Sequence, residues 1–271
     1  LINYSHQPRK RFGQNFLHDA GSIERILAAI APAPGQHLVE IGPGLGAITI
    51  GLLQAATVLE VIELDRDLIQ PLTARCAGLG TLWLHNADAL KFNFCNLRHN
   101  KNTDDKLRIV GNLPYNISTP LLFHLLDQAM CIHDMHFLLQ KEVVERMVAV
   151  PGTKIYGRLS VMVQARCTVQ HLFDIGAFAF RPVPKVESSL VRLIPQHEPL
   201  YPIANSATFA NLVACAFSKR RKTLRNALRP LLSDVTISAC GLDANLRPEN
   251  LSVSDFVTLA NALSASTPNN F

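Results

Sequence analysis

The chain has no apolar run long enough to span a membrane, because Gly, Pro or a charged residue interrupts every candidate. Its first fourteen residues, LINYSHQPRKRFGQ, lack the apolar core of a secretory signal. The six cysteines, at 76, 95, 131, 167, 215 and 240, include no Cys-x-x-Cys pair. That argues against a zinc site or a disulfide framework and suits a reducing cytoplasm. The ten histidines lack metal-ligand spacing as well. His133-Asp134-Met135-His136 is not the His-Glu-x-x-His arrangement, so no metal is expected. There is no internal repeat. With 48% hydrophobic and 17% charged residues, a disordered chain is excluded too.

What is present is enough sequence, 271 residues, for one large domain and a small one. The net charge of +5 is unevenly placed. Residues 1–150 carry 13 Lys/Arg against 14 Asp/Glu, whereas 151–271 carry 13 against 7. Arg9-Lys10-Arg11 forms one basic cluster, and Lys219-Arg220-Arg221-Lys222 with Arg225 and Arg229 forms another. Such clusters serve solubility or meet a polyanion, and charge alone does not choose.

The first two-thirds alternates short apolar runs with amphipathic stretches, the signature of a parallel sheet flanked by helices. Strands are predicted at 37–41, 58–62, 82–85, 107–110, 136–140, 167–173 and 190–194, with helices at 23–30, 45–53, 68–76, 120–128 and 142–150. Three prolines between 195 and 202 resist both helix and strand, so a linker is placed at 195–206. Helical spacing follows. The expected organisation is an α/β domain over 1–194 and a small all-α domain over 207–271.

Val39-Glu40-Ile41-Gly42-Pro43-Gly44-Leu45-Gly46 ends the first strand and opens a helix. Glycines there admit a ligand close to the backbone, and a helix N-terminus favours an anionic group; packing alone also explains glycine at such turns. Glu63 ends the second strand, where a carboxylate accepts bonds from both ribose hydroxyls. Asp88 follows the third, near the place of an adenine amino group. Each acid taken alone could be a helix cap. Together with the glycine turn they describe an adenosine site. Gly42-x-Gly44-x-Gly46 with Glu40 just upstream departs from Gly-x-Gly-x-x-Gly and resembles the first motif of S-adenosylmethionine-dependent methyltransferases. The turn would take the methionyl carboxylate, and Glu40 would help to hold the ammonium.

Asn112-Leu113-Pro114-Tyr115 lies where another strand meets solvent. An Asn side-chain carbonyl and the Leu113 carbonyl can accept both hydrogens of an adenine amino group. Pro114 restricts the turn, and Tyr115 offers a face on which the base stacks. Far downstream, Phe180 precedes Pro182 and Pro184 in a stiff segment able to cover the other face of the base. From Arg220 onward a helix would put Leu224, Ala227, Leu228 and Leu231 on one face and Arg221, Lys222, Arg225 and Arg229 on another.

These blocks resemble one family, the KsgA-type dimethyladenosine transferases of small-subunit ribosomal RNA. The resemblance runs over most of the chain, from Arg11-Phe12-Gly13-Gln14-Asn15-Phe16-Leu17 through Gln140-Lys141-Glu142-Val143 and Tyr156-Gly157-Arg158-Leu159-Ser160 to Phe180-x-Pro182-x-Pro184-x-Val186-x-Ser188 and Phe217-x-x-Arg220-Arg221-Lys222-Thr223-Leu224-Arg225-Asn226. It implies a Rossmann-like class I methyltransferase sheet. It also implies an S-adenosylmethionine site at Asn15, Leu17, Gly42, Glu63, Asp88 and Asn112, to which the reading of the residues adds Glu40 and Gly44, and an adenine held by Asn112, Leu113, Tyr115 and Phe180, with Pro114 shaping the turn. Two methyl groups would go to the amino nitrogen of each of two adjacent adenosines near the RNA's 3′ end, late in small-subunit assembly. Arg220, Arg221, Lys222 and Arg225 would meet RNA phosphates. A cytoplasmic monomer is expected, with no membrane partner. A large-subunit adenine methyltransferase of the antibiotic-resistance type, and a non-catalytic RNA-binding assembly or transcription factor, are the alternatives.

Overall fold

Apolar runs too short for helices become the inner strands of a seven-stranded sheet. The computed structural model describes residues 14–98, 106–196, 198, 200–219 and 221–266. Strands β1 (Phe16–Leu17), β2 (His37–Ile41), β3 (Val58–Glu63), β4 (Thr81–Asn86), β5 (Leu107–Asn112), β6 (Ile132–Gln140), β7 (Cys167–Ile175), β8 (Phe180–Arg181) and β9 (Ser188–Pro195) alternate with helices. Those helices are α1 (Ala20–Ile30), α2 (Thr49–Ala56), α3 (Arg66–Cys76), α4 (Ser118–Leu126), α5 (Lys141–Val148) and α6 (Arg158–Gln164), followed by α7 (Ser206–Phe217), α8 (Leu224–Leu228), α9 (Asp234–Ala239) and α10 (Val253–Ser266).

The sheet order is β4-β3-β2-β5-β6-β9-β7. Strands β2 to β6 pair in parallel, and β9 returns antiparallel to β6. Because β2 is flanked by β3 on one side and β5 on the other, the chain reverses its direction of winding beside β2. Ligands of such sheets bind at that crevice, outside the carboxyl ends of the strands. Helices on the sheet are started by acids: Asp19 accepts the Ser22 N–H at 2.8 Å before α1, and Asp65 accepts the Asp67 N–H at 3.3 Å before α3.

Described residues of Leu1–Val144 and Gln170–His197 form one compact unit, and those of Glu145–Val169 and Glu198–Phe271 form a second. Residues 145–169, which the sequence pattern groups with the first domain, thus lie in the second. The reason is burial: Tyr156, Val161 and Ala165 share one apolar cluster with Phe209, Leu212 and Phe256 of α7 and α10. Each large side chain removed from water this way contributes roughly 1.5–3 kcal/mol.

Three further differences have physical causes. Strand β6 begins at Ile132, not 136, because Asp134 is fully buried yet satisfied. Arg108 Nε (2.9 Å) and Arg192 Nη2 (2.9 Å) donate to its carboxylate across β5 and β9. Those cations hold the Asp134 carboxyl below its ordinary range against the opposing effect of burial. Helix α2 begins at Thr49, since the glycine turn occupies the residues before it. Cys95 and Cys131, 36 residues apart, are joined in a disulfide with Cα atoms 5.4 Å apart, contrary to the expectation of none. The Gln128 side chain brings them together by accepting the Phe94 N–H at 2.7 Å. Among the described residues, no helix is long and apolar enough to cross a membrane.

The contact of β2 with β5 leaves no room for a side chain at Gly111. A Cβ there would stand 2.7 Å from the Ile41 carbonyl oxygen and 2.9 Å from Leu113 Cδ2. The carbonyl belongs to a central strand and cannot swing aside. Gly111→Ala should therefore cost about 1–3 kcal/mol of stability. A lower denaturant midpoint at unchanged slope is the expected reading; an unchanged midpoint would contradict the packing.

Candidate active site

A cavity of about 380 Å³ opens at the carboxyl ends of β2, β3 and β5, within the size range of small-ligand sites. It gathers Asn15, Leu17, Glu40, Gly42, Gly44, Glu63, Asp88, Asn112, Leu113, Pro114 and Tyr115, which the sequence scatters over a hundred residues. Gln14, Phe16, Leu64, Leu68 and Leu90 line it as well. The three leucines carry no pattern in the sequence that separates them from core residues.

The glycine turn makes the floor. Gly42 (φ 66°) and Gly44 (φ 57°) hold left-handed conformations that side chains resist. A Cβ at Gly44 would also press within 3.1 Å of the Phe16 ring, while a Cβ at Gly42 would meet nothing within 4 Å. The approach over Gly42 is open. Glu63 closes one side, its Oε2 accepting the Gly44 N–H at 3.3 Å and its Oε1 the Asp65 N–H at 2.8 Å. Burial raises its pKa, partly offset by those two donors. Its remaining lone pairs suit neighbouring hydroxyls. Asp65 accepts from Gln14 Nε2 at 3.0 Å, tying the segment before β1 to the end of β3. Asp88 is anchored by the Leu90 N–H, which donates to Oδ1 at 3.0 Å.

Glu40 is strained electrostatically. It is 2% exposed, and among the described residues its Oε2 has no hydrogen-bond partner. Burial, reinforced by the like charge of Glu63 and partly offset by the Thr49 hydroxyl, pushes its pKa up to about 8. A buried carboxyl with an oxygen open on the cavity wall can receive a cation, which favours its charged form.

Asn112 ends β5, where its Nδ2 donates to the Asn15 carbonyl at 3.0 Å. That bond leaves Oδ1 as the acceptor of the amide. The Leu113 N–H is taken by the Leu138 carbonyl at 3.3 Å, and the Ile117 N–H closes the turn onto the Pro114 carbonyl at 3.1 Å. Tyr115 follows on the wall, and partial burial raises its phenol pKa.

Phe180, expected to cover the second face of a base, is not among the residues lining the cavity. It is 1% exposed, pairs with Leu17 across β1 and β8, and packs in the core with Leu17, Val110 and Leu138. Phe180 opens β8 and faces the core opposite Leu17, while Phe178, in the 3-10 turn Ala177–Ala179 just before it, is 86% exposed. The basic helix is also shorter than expected: Arg220 lies outside the described residues, as does Arg9-Lys10-Arg11. Arg221 and Lys222 are exposed but precede α8, because the Lys222 N–H closes a turn onto Lys219 and Thr223 is extended. They do not share a helical face with Arg225. Leu224, Ala227 and Leu228 are buried as the spacing predicts. Arg225 is half-exposed and paired with Asp234 at 2.6 Å.

The sheet order, the glycine turn after β2 and the carboxylates after β3 and β4 define the class: an S-adenosylmethionine-dependent methyltransferase with a Rossmann-like sheet. Residues 5–265 match the ribosomal RNA adenine dimethylase family. The chain is 56% identical over 267 residues to ribosomal RNA small subunit methyltransferase A of Pseudomonas aeruginosa, covering 98% of each chain. To the protein of the same name from Marinobacter nauticus it is 53% identical, covering 96% of this chain and 93% of the relative. The chain belongs to the ribosomal RNA adenine dimethylase family. Among solved structures, a dimethyladenosine transferase from Plasmodium falciparum superposes with a TM-score of 0.74 at 26% identity, covering 90% of this chain and 95% of that one. The 23S rRNA methyltransferase ErmE shares the fold, with a TM-score of 0.68 at 23% identity over 92% of this chain and 100% of that one.

Proposed function

We propose that this protein methylates the N6 amino groups of two adjacent adenosines near the 3′ end of small-subunit (16S) ribosomal RNA, giving N6,N6-dimethyladenosine late in subunit assembly. One observation carries the reading: Asn112-Leu113-Pro114-Tyr115 shares a single cavity with Glu40, Gly44 and Glu63. An amino-group acceptor and a flat ring thus stand beside an adenosyl site. The near-full-length similarity to small-subunit methyltransferases favours small-subunit over large-subunit RNA.

S-adenosylmethionine, when bound, supplies an electrophilic methyl group. This chain's residues supply placement and field. Glu40 offers its carboxylate to the ammonium, the turn at Gly42 and Gly44 to the carboxylate, Glu63 to the ribose and Asp88 to the adenine of the cofactor. Asn15 orients the Asn112 amide, and Leu17 gives an apolar wall. On the RNA side, the Asn112 Oδ1 and the Leu113 carbonyl take the two N6 hydrogens. Held out of the ring plane, those hydrogens leave the nitrogen lone pair localised and aimed outward. Tyr115 stacks on the base, worth roughly 1–3 kcal/mol, comparable to the cost of unstacking a nucleotide. No side chain need remove a proton before transfer, so orientation and electrostatics carry the rate. Arg221, Lys222 and Arg225 of the second unit meet phosphates, Arg225 exchanging Asp234 for the RNA. The protein works in the cytoplasm as a monomer.

Incubation with labelled S-adenosylmethionine and unmodified small subunits should place label in dimethyladenosine of the small-subunit RNA. Label found only in large-subunit RNA would overturn the substrate.

A further inference from the structure

Tyr115 is gripped at both ends. Its carbonyl accepts the Ser118 hydroxyl at 3.1 Å, and its phenol oxygen lies 2.9 Å from Ser188 Oγ. Ser188 is 1% exposed, opens β9 and pairs with Gln140 of β6. Half-buried tyrosines commonly find a partner for the hydroxyl, so this bond alone is unremarkable in kind. Its surroundings are more specific. The residues on either side of Ser188 are clamped from the opposite face of the strand. Glu187 accepts the Lys141 ammonium at 2.9 Å through its carboxylate and the Lys141 N–H at 3.0 Å through its carbonyl. Ser189 donates to Asp174 Oδ1 at 2.6 Å, and the same Lys141 ammonium reaches Asp174 Oδ2 at 2.9 Å. A strand start fixed on both flanks thus presents one hydroxyl, at a set height, to the ring on the cavity wall.

We propose that Ser188 is a positioning residue for methyl transfer, fixing the tilt of the Tyr115 ring and with it the plane in which the target adenine is held against Asn112. The proposal rests on the reading of Tyr115 as the adenine platform given above. A ring without this tether still stacks, because stacking tolerates rotation about the normal and small tilts. Transfer to nitrogen does not, since a misplacement on the order of 1 Å costs about a hundredfold in rate. The loss should therefore fall on kcat and not on binding.

Ser188→Ala and Tyr115→Phe each remove one half of the bond, and their double variant removes both. On unmodified small subunits, each single variant should lower kcat about tenfold, the size of one net hydrogen bond. KM for subunits and Kd for S-adenosylmethionine should stay within twofold. In the double variant kcat should fall no further than in either single, the mark of one shared interaction. A kcat within twofold of the parent in Tyr115→Phe, or losses that multiply in the double variant, would overturn the role of Ser188. Tyr115→Ala separates this from the underlying reading. If it collapses kcat while Tyr115→Phe does not, Ser188 alone loses its role; if it too leaves kcat unchanged, the platform itself is wrong.

Discussion

Asn112→Ala should lower the single-turnover rate of methyl transfer to small-subunit RNA by about a hundred- to a thousandfold, the range lost when one preorganised hydrogen-bonding group is removed from a reacting centre. Asn112 Nδ2 is committed to the Asn15 carbonyl at 3.0 Å, which turns Oδ1 to the role of acceptor. Alanine removes that acceptor and leaves the target amino group free to lie in the ring plane, where its lone pair is delocalised. It also frees the Asn15 carbonyl, so a modest weakening of cofactor binding accompanies the loss, less than tenfold by calorimetry. Affinity for small subunits should be retained, because stacking and phosphate contacts remain. That combination separates an enzyme from a factor that keeps this fold only to bind RNA. A rate within threefold of the parent would show that the Asn112 carbonyl does not hold the reacting nitrogen.

The sites most readable in the sequence are those where backbone chemistry forces a residue type. Gly42 and Gly44 sit at φ values that side chains resist, and Pro114 restricts the turn after β5; all three, with Glu63 and Asp88, lie in one cavity. The parallel strands at 37–41 and 58–62 are legible for a related reason: both their faces are largely buried, and their residues are mainly apolar around the buried Glu40 and Glu60. Where polar groups are buried in pairs, the pattern fails. Asp134 makes the first half of β6 look like loop until Arg108 and Arg192 are seen to satisfy it. Cys95 and Cys131 look unrelated at a separation of 36, because their meeting depends on Gln128. Residues 145–169 carry no composition shift from the first domain, so only the shared burial of Val161 with Phe209 and Phe256 reveals their unit. Phe180 illustrates the opposite hazard. A ring beside prolines reads as presented, yet pairing of β8 with β1 sets Phe180 in the core with Leu17, Val110 and Leu138.

The second large effect concerns Glu40. In the ligand-free protein burial holds its pKa up at about 8, so at neutral pH the carboxyl is mostly protonated. An ammonium placed against it favours the charged form and draws that pKa down. Binding of S-adenosylmethionine then releases a proton, and affinity rises with pH up to about 8, by at most tenfold per pH unit. Glu40→Gln removes the charge at nearly constant shape. Its affinity at pH 8 should be weaker by about 2–5 kcal/mol, the cost of truncating one member of a buried charge pair, which is roughly thirtyfold or more. The slope of affinity with pH should vanish along with it. Stability without ligand moves the other way. A carboxyl whose native pKa is raised above its unfolded value contributes fully only below that unfolded value, near 4.5, and the contribution is lost as pH rises towards 8. Glutamine carries no such loss, so the melting temperature of Glu40→Gln should exceed the parent's by more at pH 8 than at pH 5. Titration calorimetry at pH 6, 7 and 8 reads the first effect and thermal melts read the second. Equal pH slopes of affinity in the two proteins would mean that Glu40 does not face the ammonium.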